Sequence, residues 1–126
     1  MIPEQNEKET MNDNDTTIGE LRERVAGFIS ERDWEQFHDP KNLAMSIAIE
    51  AAELMEHFQW ERSDQLPTLL EDPGKRQEIE EELADVACYC LSLANNLEID
   101  LAEAIEKKIL KNAKKYPAGK YRGRHS

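Results

Sequence analysis

The sequence predicts an all-α, four-helix-bundle-like fold, and three observations predict it. Apolar residues recur at spacings of three and four through four separate stretches. Each stretch follows a residue or turn that starts helices. No segment alternates apolar and polar residues as a strand does, and neither an internal repeat nor a glycine-rich phosphate loop is present.

The first helix opens at Thr17, which forms a capping box with Glu20, and its apolar face carries Ile18, Leu21, Val25 and Phe28. Asp39-Pro40 opens the second, whose stripe is centred near Ile47 and includes Leu43, Ala51, Leu54 and Phe58. From Ser63 to Glu71 the chain reads as a linker with room for one short helical turn. Asp72-Pro73-Gly74 then breaks the chain before a long third helix, with Ile79, Leu83, Val86, Cys90, Leu93 and Leu97 on its stripe. Asp100 with Glu103 caps a fourth, from Leu101 to about Lys115.

A length of 126 residues allows one domain with a modest core. Residues 1–15 are polar and rich in Asn, Asp and Glu, which predicts a disordered arm and not a signal peptide; 16–117 form the helical domain and 118–126 a basic tail. No run is long and apolar enough to span a membrane, so a cytoplasmic protein with no membrane partner is expected. Cys88 and Cys90 are two apart on one helix and are expected to be reduced thiols. The net charge of −11 argues against a nucleic-acid partner.

Two acidic doublets carry the chemistry: Glu50 with Glu53, and Glu82 with Asp85. In a chain that is 34% charged most acids only solvate a surface, so phase has to separate ligands from solubilisers. At about 100° per residue, Glu50 falls roughly 60° and Glu53 roughly 120° to one side of the stripe centre, while Glu56 points the opposite way. Glu82 and Asp85 repeat roughly 60° and 120° on the same flank of the third helix, whereas Glu81 faces water and Glu80 the other flank. Packing the two helices would gather four carboxylates in one cleft.

Crowded carboxylates raise each other's pKa and stay ionised together only around a cation. All-oxygen ligation points to Mg²⁺, with Mn²⁺ or Ca²⁺ as substitutes, and not to zinc or copper. A di-iron bundle also uses helix carboxylates, but it needs a His three residues after a ligating Glu. Those positions hold Glu53 and Asp85, and His57 stands at another offset.

The order Glu50-x-x-Glu53, 28 intervening residues, then Glu82-x-x-Asp85 resembles the ExxE…ExxD signature of the all-α nucleoside triphosphate pyrophosphohydrolases, the group of MazG and the dimeric dUTPases. The run Glu31-Arg32-Asp33-Trp34-Glu35-Gln36-Phe37-His38, then Phe58-Gln59-Trp60, then Tyr116-Pro117 resembles the dCTP pyrophosphatase branch. The resemblance implies Mg²⁺-dependent hydrolysis of a (deoxy)nucleoside triphosphate, dCTP or a related pyrimidine nucleotide, to the monophosphate and pyrophosphate. It implies that Glu50, Glu53, Glu82 and Asp85 ligate the metal, one of them also orienting the attacking water. It assigns Trp34, Phe37, His38, Trp60, Tyr89 and Tyr116 to the nucleotide. Val25 stands where mammalian members have a His, which bears on selectivity for cytosine.

Two features lie outside the signature. Continuing the stripe of the fourth helix from Leu101 and Ile105 lands on Lys108, Asn112 and Lys115, polar residues at inward positions and therefore candidates for the phosphates. Of the 16 Lys and Arg, 8 fall from Lys107 onward, and Lys107, Lys111 and Lys114 are accounted for by the helix dipole. Met45, Ile49 and Met55 lie off the second stripe, where a partner subunit would cover them. A homo-oligomer is expected, a tetramer by the resemblance. The competing readings are a hydrolase of non-canonical nucleotides and a non-catalytic helical interaction module.

Overall fold

The computed structural model describes residues 10–123. In chain order the helices are α1 (Ile18–Glu31), α2 (Pro40–Glu56), α3 (Leu66–Leu69), α4 (Pro73–Leu97), α5 (Leu101–Lys115) and α6 (Ala118–Tyr121), with 3₁₀ turns at Glu35–Phe37 and Ser63–Gln65. There is no strand among the described residues. The all-α class is as the sequence predicts.

Local chemistry fixes each start. Thr17 Oγ1 accepts from the Glu20 N–H at 3.0 Å while Glu20 Oε1 accepts from the Thr17 N–H at 2.7 Å, completing the box on α1. Asp39 Oδ1 accepts from the Asn42 N–H at 2.7 Å, and Pro40 occupies the first turn of α2, where a missing N–H costs nothing. Asp72-Pro73-Gly74 is a start more than a break: Asp72 caps the Gly74 N–H at 3.0 Å and Pro73 is already helical. Asp100 caps α5 through the Glu103 N–H at 3.0 Å. The linker is more helical than expected, holding both the second 3₁₀ turn and α3.

The ends of α1 and α4 turn through left-handed residues, Asp33 (φ 54°) and Glu98 (φ 55°). At the first, the Trp34 N–H reaches back to the Ile29 carbonyl at 3.1 Å; at the second, the Ile99 N–H reaches Ala94 at 2.9 Å. The first of these turns sends Trp34 against Phe28, ring edge to face, with centroids 5.9 Å apart.

Helices α2 and α4 form the main interface, and α1 packs on α4. They run antiparallel, since Asn96 near the end of α4 meets His38 just before α2, and Lys75 near the start of α4 meets His57 just after it. Arg22 and Asn95 exchange two hydrogen bonds, Nε to Oδ1 at 2.8 Å and Nδ2 to the Arg22 carbonyl at 3.2 Å, which lock α1 onto α4. The buried core is small: Leu43, Leu91, Ala94 and Ser92.

The inward faces differ from the predicted stripes. On α4 the sheltered positions include Ile79, Glu82, Val86, Tyr89, Cys90 and Leu93, while Leu83 is 56% exposed and Leu97 also faces solvent. On α2, Ser46, Ile47, Glu50 and Leu54 are sheltered and Ala51 is not. The reason is placement: α1 and α2 both cover α4 from sides that leave Leu83 open. Of the acids, Glu50 and Glu82 are half-buried at the interface and Asp85 is exposed. Met45, Ile49 and Met55 are exposed.

The fourth long helix stands apart. From Ala102 to Lys115, α5 is exposed throughout, so beyond the half-buried Leu101 its predicted inward stripe is left open by the described residues. Of the predicted arm, residues 1–9 lie outside the described residues; Asn12 Oδ1 accepts from the N–H groups of Asn14 (3.0 Å) and Asp15 (2.9 Å) to form a turn before α1. Within the predicted tail, Tyr121 of α6 meets Tyr116 edge-on at 5.3 Å, and residues 124–126 lie outside the described residues.

Candidate metal and nucleotide site

Because α2 and α4 are antiparallel, two residues one turn apart on each helix meet at mid-length. One carboxylate oxygen each from Glu50, Glu53 and Glu82 lie within 4.8 Å of one another. Asp85, one turn further along α4, is outside this tightest group but adds its charge to both Glu50 and Glu82. Burial first, then the charges of Glu53, Asp85 and Glu82, raises the Glu50 carboxyl above its ordinary 4.5. Burial, then Glu53 and Asp85, does the same for Glu82, against a lowering by His57.

The Glu82 Oε2 atom is buried and has no hydrogen-bond partner. A carboxylate oxygen in that position is costly unless a cation satisfies it. Three neighbouring carboxylates, one of them Glu82 with its orphaned Oε2, fit a hard divalent ion such as Mg²⁺, and the set contains no thiolate or imidazole. His57 flanks the group: its Nδ1 lies 3.3 Å from Lys75 Nζ, which also pairs with Glu78 at 3.7 Å.

Next to the carboxylates, α1, the loop after it and α4 enclose a cavity of about 360 Å³. Arg24, Val25, Phe28 and Ile29 supply the α1 wall, Trp34 and His38 the loop, and Asp85, Cys88, Tyr89 and Ser92 the α4 wall. Asp85 therefore belongs to both the acidic group and the cavity. The His38 and Tyr89 rings lie 6.5 Å apart, and Asn96 Nδ2 donates to the His38 carbonyl at 2.9 Å. A second cavity of about 200 Å³ shares Ile29, His38 and Ser92 with the first and adds Asn95 and Asn96. Burial, then Asp85, raises the Cys88 thiol; both cysteines are free.

The structure thus brings together Glu50, Glu53, Glu82, Asp85, Trp34, His38 and Tyr89. It does not bring in the rest. Phe37 is exposed and Trp60 is 84% exposed, on the turn that ends α2. Lys108, Asn112, Lys115 and Tyr116 are exposed along or just beyond α5; Lys115 Nζ lies 5.3 Å from the Tyr116 ring. Sequence reasoning missed Phe28, Cys88, Ser92 and the His57–Lys75 pair. A signal for Ser92 existed: it is the small polar residue inside the apolar run from Tyr89 to Ala94.

Comparison with known proteins identifies the family. A model of the MazG-like family matches residues 45–126, a segment that contains all four acids. The chain belongs to the MazG-like family. Among curated MazG-like relatives, dCTP pyrophosphatase 1 of Mus musculus is 38% identical over 107 residues, 85% of this chain and 63% of the relative. The Homo sapiens protein of the same name is 39% identical over 102 residues, 81% of this chain and 60% of its own. This chain therefore spans a little under two thirds of the length of these relatives. A pyrophosphatase from Archaeoglobus fulgidus superposes with a TM-score of 0.75 at 43% identity, covering 86% of this chain and 99% of that one.

Proposed function

We propose that this chain is a Mg²⁺-dependent nucleoside triphosphate pyrophosphohydrolase acting on dCTP or a related pyrimidine nucleotide. The observation that carries the reading is the unpartnered Glu82 oxygen between Glu50 and Glu53, next to an aromatic cavity that shares Asp85. The names of the curated relatives and of the archaeal structure support the reaction class.

Glu50, Glu53, Glu82 and Asp85 would hold the ion, which when bound withdraws charge from the phosphoryl oxygens. The cavity takes the nucleoside. Trp34 and Tyr89 offer faces to a base, a contact of about 1–3 kcal/mol that tolerates base identity. With the base seated there, Asp85 lies on the phosphate side. A carboxylate of the group orients the water whose oxygen bonds to the α-phosphorus as the bond from that phosphorus to the bridging oxygen breaks. Pyrophosphate leaves with the bridging oxygen, and positioning with charge stabilisation suffices for a leaving group this good.

The reading includes a homo-oligomer, tetrameric by resemblance. The small core, the exposed Met45, Ile49 and Met55, and the exposed Ile105, Ile109 and Leu110 of α5 support it. Lys108, Asn112, Lys115 and Tyr116 would then reach phosphates across an interface between copies. The test is a panel of ribo- and deoxynucleoside triphosphates with pyrophosphate detection, with and without Mg²⁺. Pyrophosphate release from dCTP that requires the ion is expected; phosphate in its place, or no turnover of any nucleotide, overturns the reading.

A further inference from the structure

Ser92 is 6% exposed, yet its hydroxyl has no hydrogen-bond partner among the described residues, and it lines both cavities. Helical serines commonly satisfy themselves on the carbonyl one turn back. A hydroxyl that opens on a cavity and bonds nothing within it is free to take a polar edge of whatever fills that cavity. Its position says which part of a ligand that is. Ser92 follows Asp85 by two helical turns, a rise of roughly 10 Å, on the wall that also carries Tyr89. A nucleotide with its phosphates near Asp85 would present to Ser92 the far edge of its base, opposite the glycosidic bond.

We propose that Ser92 is a specificity-determining residue whose hydroxyl bonds the exocyclic 4-position of a pyrimidine base seated between α1 and α4. The inference rests on the function proposed above. A hydroxyl rotates to donate or accept, so it serves an amino or a keto group at that position. On the facing wall Val25 and Phe28 can do neither, and Arg24 can donate to a keto group but cannot accept from an amino group.

The experiment compares kcat/KM for dCTP, dTTP and the pyrimidin-2-one deoxynucleoside triphosphate, which lacks the 4-substituent, in wild type, Ser92→Ala and Ser92→Thr. Ser92→Ala is expected to lower kcat/KM about tenfold for dCTP and dTTP, mainly through KM, and to leave the pyrimidin-2-one analogue within about twofold. Ser92→Thr keeps the hydroxyl and is expected to keep the discrimination. Equal losses for all three substrates overturn the assignment of Ser92 alone. A wild type that hydrolyses none of them overturns the assignment and the proposed function together.

Thermal melting gives a readout independent of turnover. Removing an unpaired hydroxyl should not lower the midpoint of the free protein, while the shift produced by Mg²⁺ with a non-hydrolysable α,β-imido dCTP should shrink. A lowered midpoint with an undiminished shift marks a merely structural serine and overturns the proposal.

Discussion

Asn96 of α4 donates a 2.9 Å hydrogen bond to the main-chain carbonyl of His38, tying the loop that closes the cavity to the helix that carries Glu82 and Asp85. The loop is otherwise held by its own chain neighbours, the Trp34 N–H on the Ile29 carbonyl at 3.1 Å and Asn42 Nδ2 on the Phe37 carbonyl at 3.3 Å. Asn96→Ala should therefore loosen one wall of the cavity without touching the acids. A severalfold rise in KM for dCTP with kcat within about twofold is expected in steady-state assays, the pattern of lost uniform binding. A fall in kcat at unchanged KM would contradict it.

Glu50→Gln and Asp85→Asn keep side-chain volume while removing a ligand charge. Each should lose more than tenfold in turnover, at least about 1.4 kcal/mol of barrier, with helical content intact by circular dichroism. Glu56→Gln and Glu81→Gln are the controls, both on exposed positions, and should stay near wild-type activity. Retention of more than a tenth of activity in Glu50→Gln would sink the ligand assignment.

The pH dependence of the metal-free protein follows from the same acids. Glu50 and Glu82 have pKa values raised above 4.5 by burial and by each other's neighbours, so the folded chain binds those protons more tightly than the unfolded one. Protonation then favours the fold: this contribution is full below 4.5 and is lost as pH rises through the raised values. Melting without metal should show a higher midpoint at pH 5 than at pH 7.5. Added Mg²⁺ should raise the midpoint at pH 7.5 and do so less at pH 5, because protons and cation compete for the same oxygens. An equal Mg²⁺ effect at both values would place the ion elsewhere.

Ile109 is 60% exposed on a helix whose residues from Ala102 to Lys115 are all exposed. Ile109→Glu should weaken self-association. Light scattering is expected to give an oligomer for the wild type at micromolar concentration and a smaller species for the variant. A wild-type monomer at that concentration would leave the exposed face of α5 without this explanation.

Val25 lines the cavity on the side facing Tyr89 and Ser92. Val25→His adds a polar group to that wall and should raise the ratio of kcat/KM for dCTP over dTTP. An unchanged ratio would locate base selection on α4 and not on α1.

The all-α class and the four capped starts were readable because caps are local: Thr17 with Glu20 and Asp39 with Pro40 act through neighbours in sequence. The acidic doublets were readable as well, since spacing and phase separate Glu50 and Glu82 from Glu56 and Glu81. The exact inward faces were not. Periodicity places Leu83 on a stripe, but which side of α4 is covered depends on where α1 and α2 dock, and that is a long-range outcome. Ser92 and Phe28 escaped for the same reason, because the cavity joins residues more than sixty positions apart. The fate of α5 was beyond reach too: its amphipathic pattern says that something covers it, and the described residues leave Ala102 to Lys115 exposed.

The antiparallel pairing of α2 with α4 has a consequence for direction. Two acids one turn apart on each of two oppositely running helices are related by a near twofold axis between the helices, so the carboxylates by themselves offer a phosphate chain two equivalent orientations. The surroundings break that dyad. At the Asp85 end lies the aromatic cavity, with Arg24 and Asp85 its charged lining residues, and at the other end stand Lys75 and His57, 3.3 Å apart beside the positive start of α4. The polarity of a bound polyanion is thus written not in its ligands but in the contrast between the two ends of the groove, one suited to a flat apolar ring and the other to negative charge.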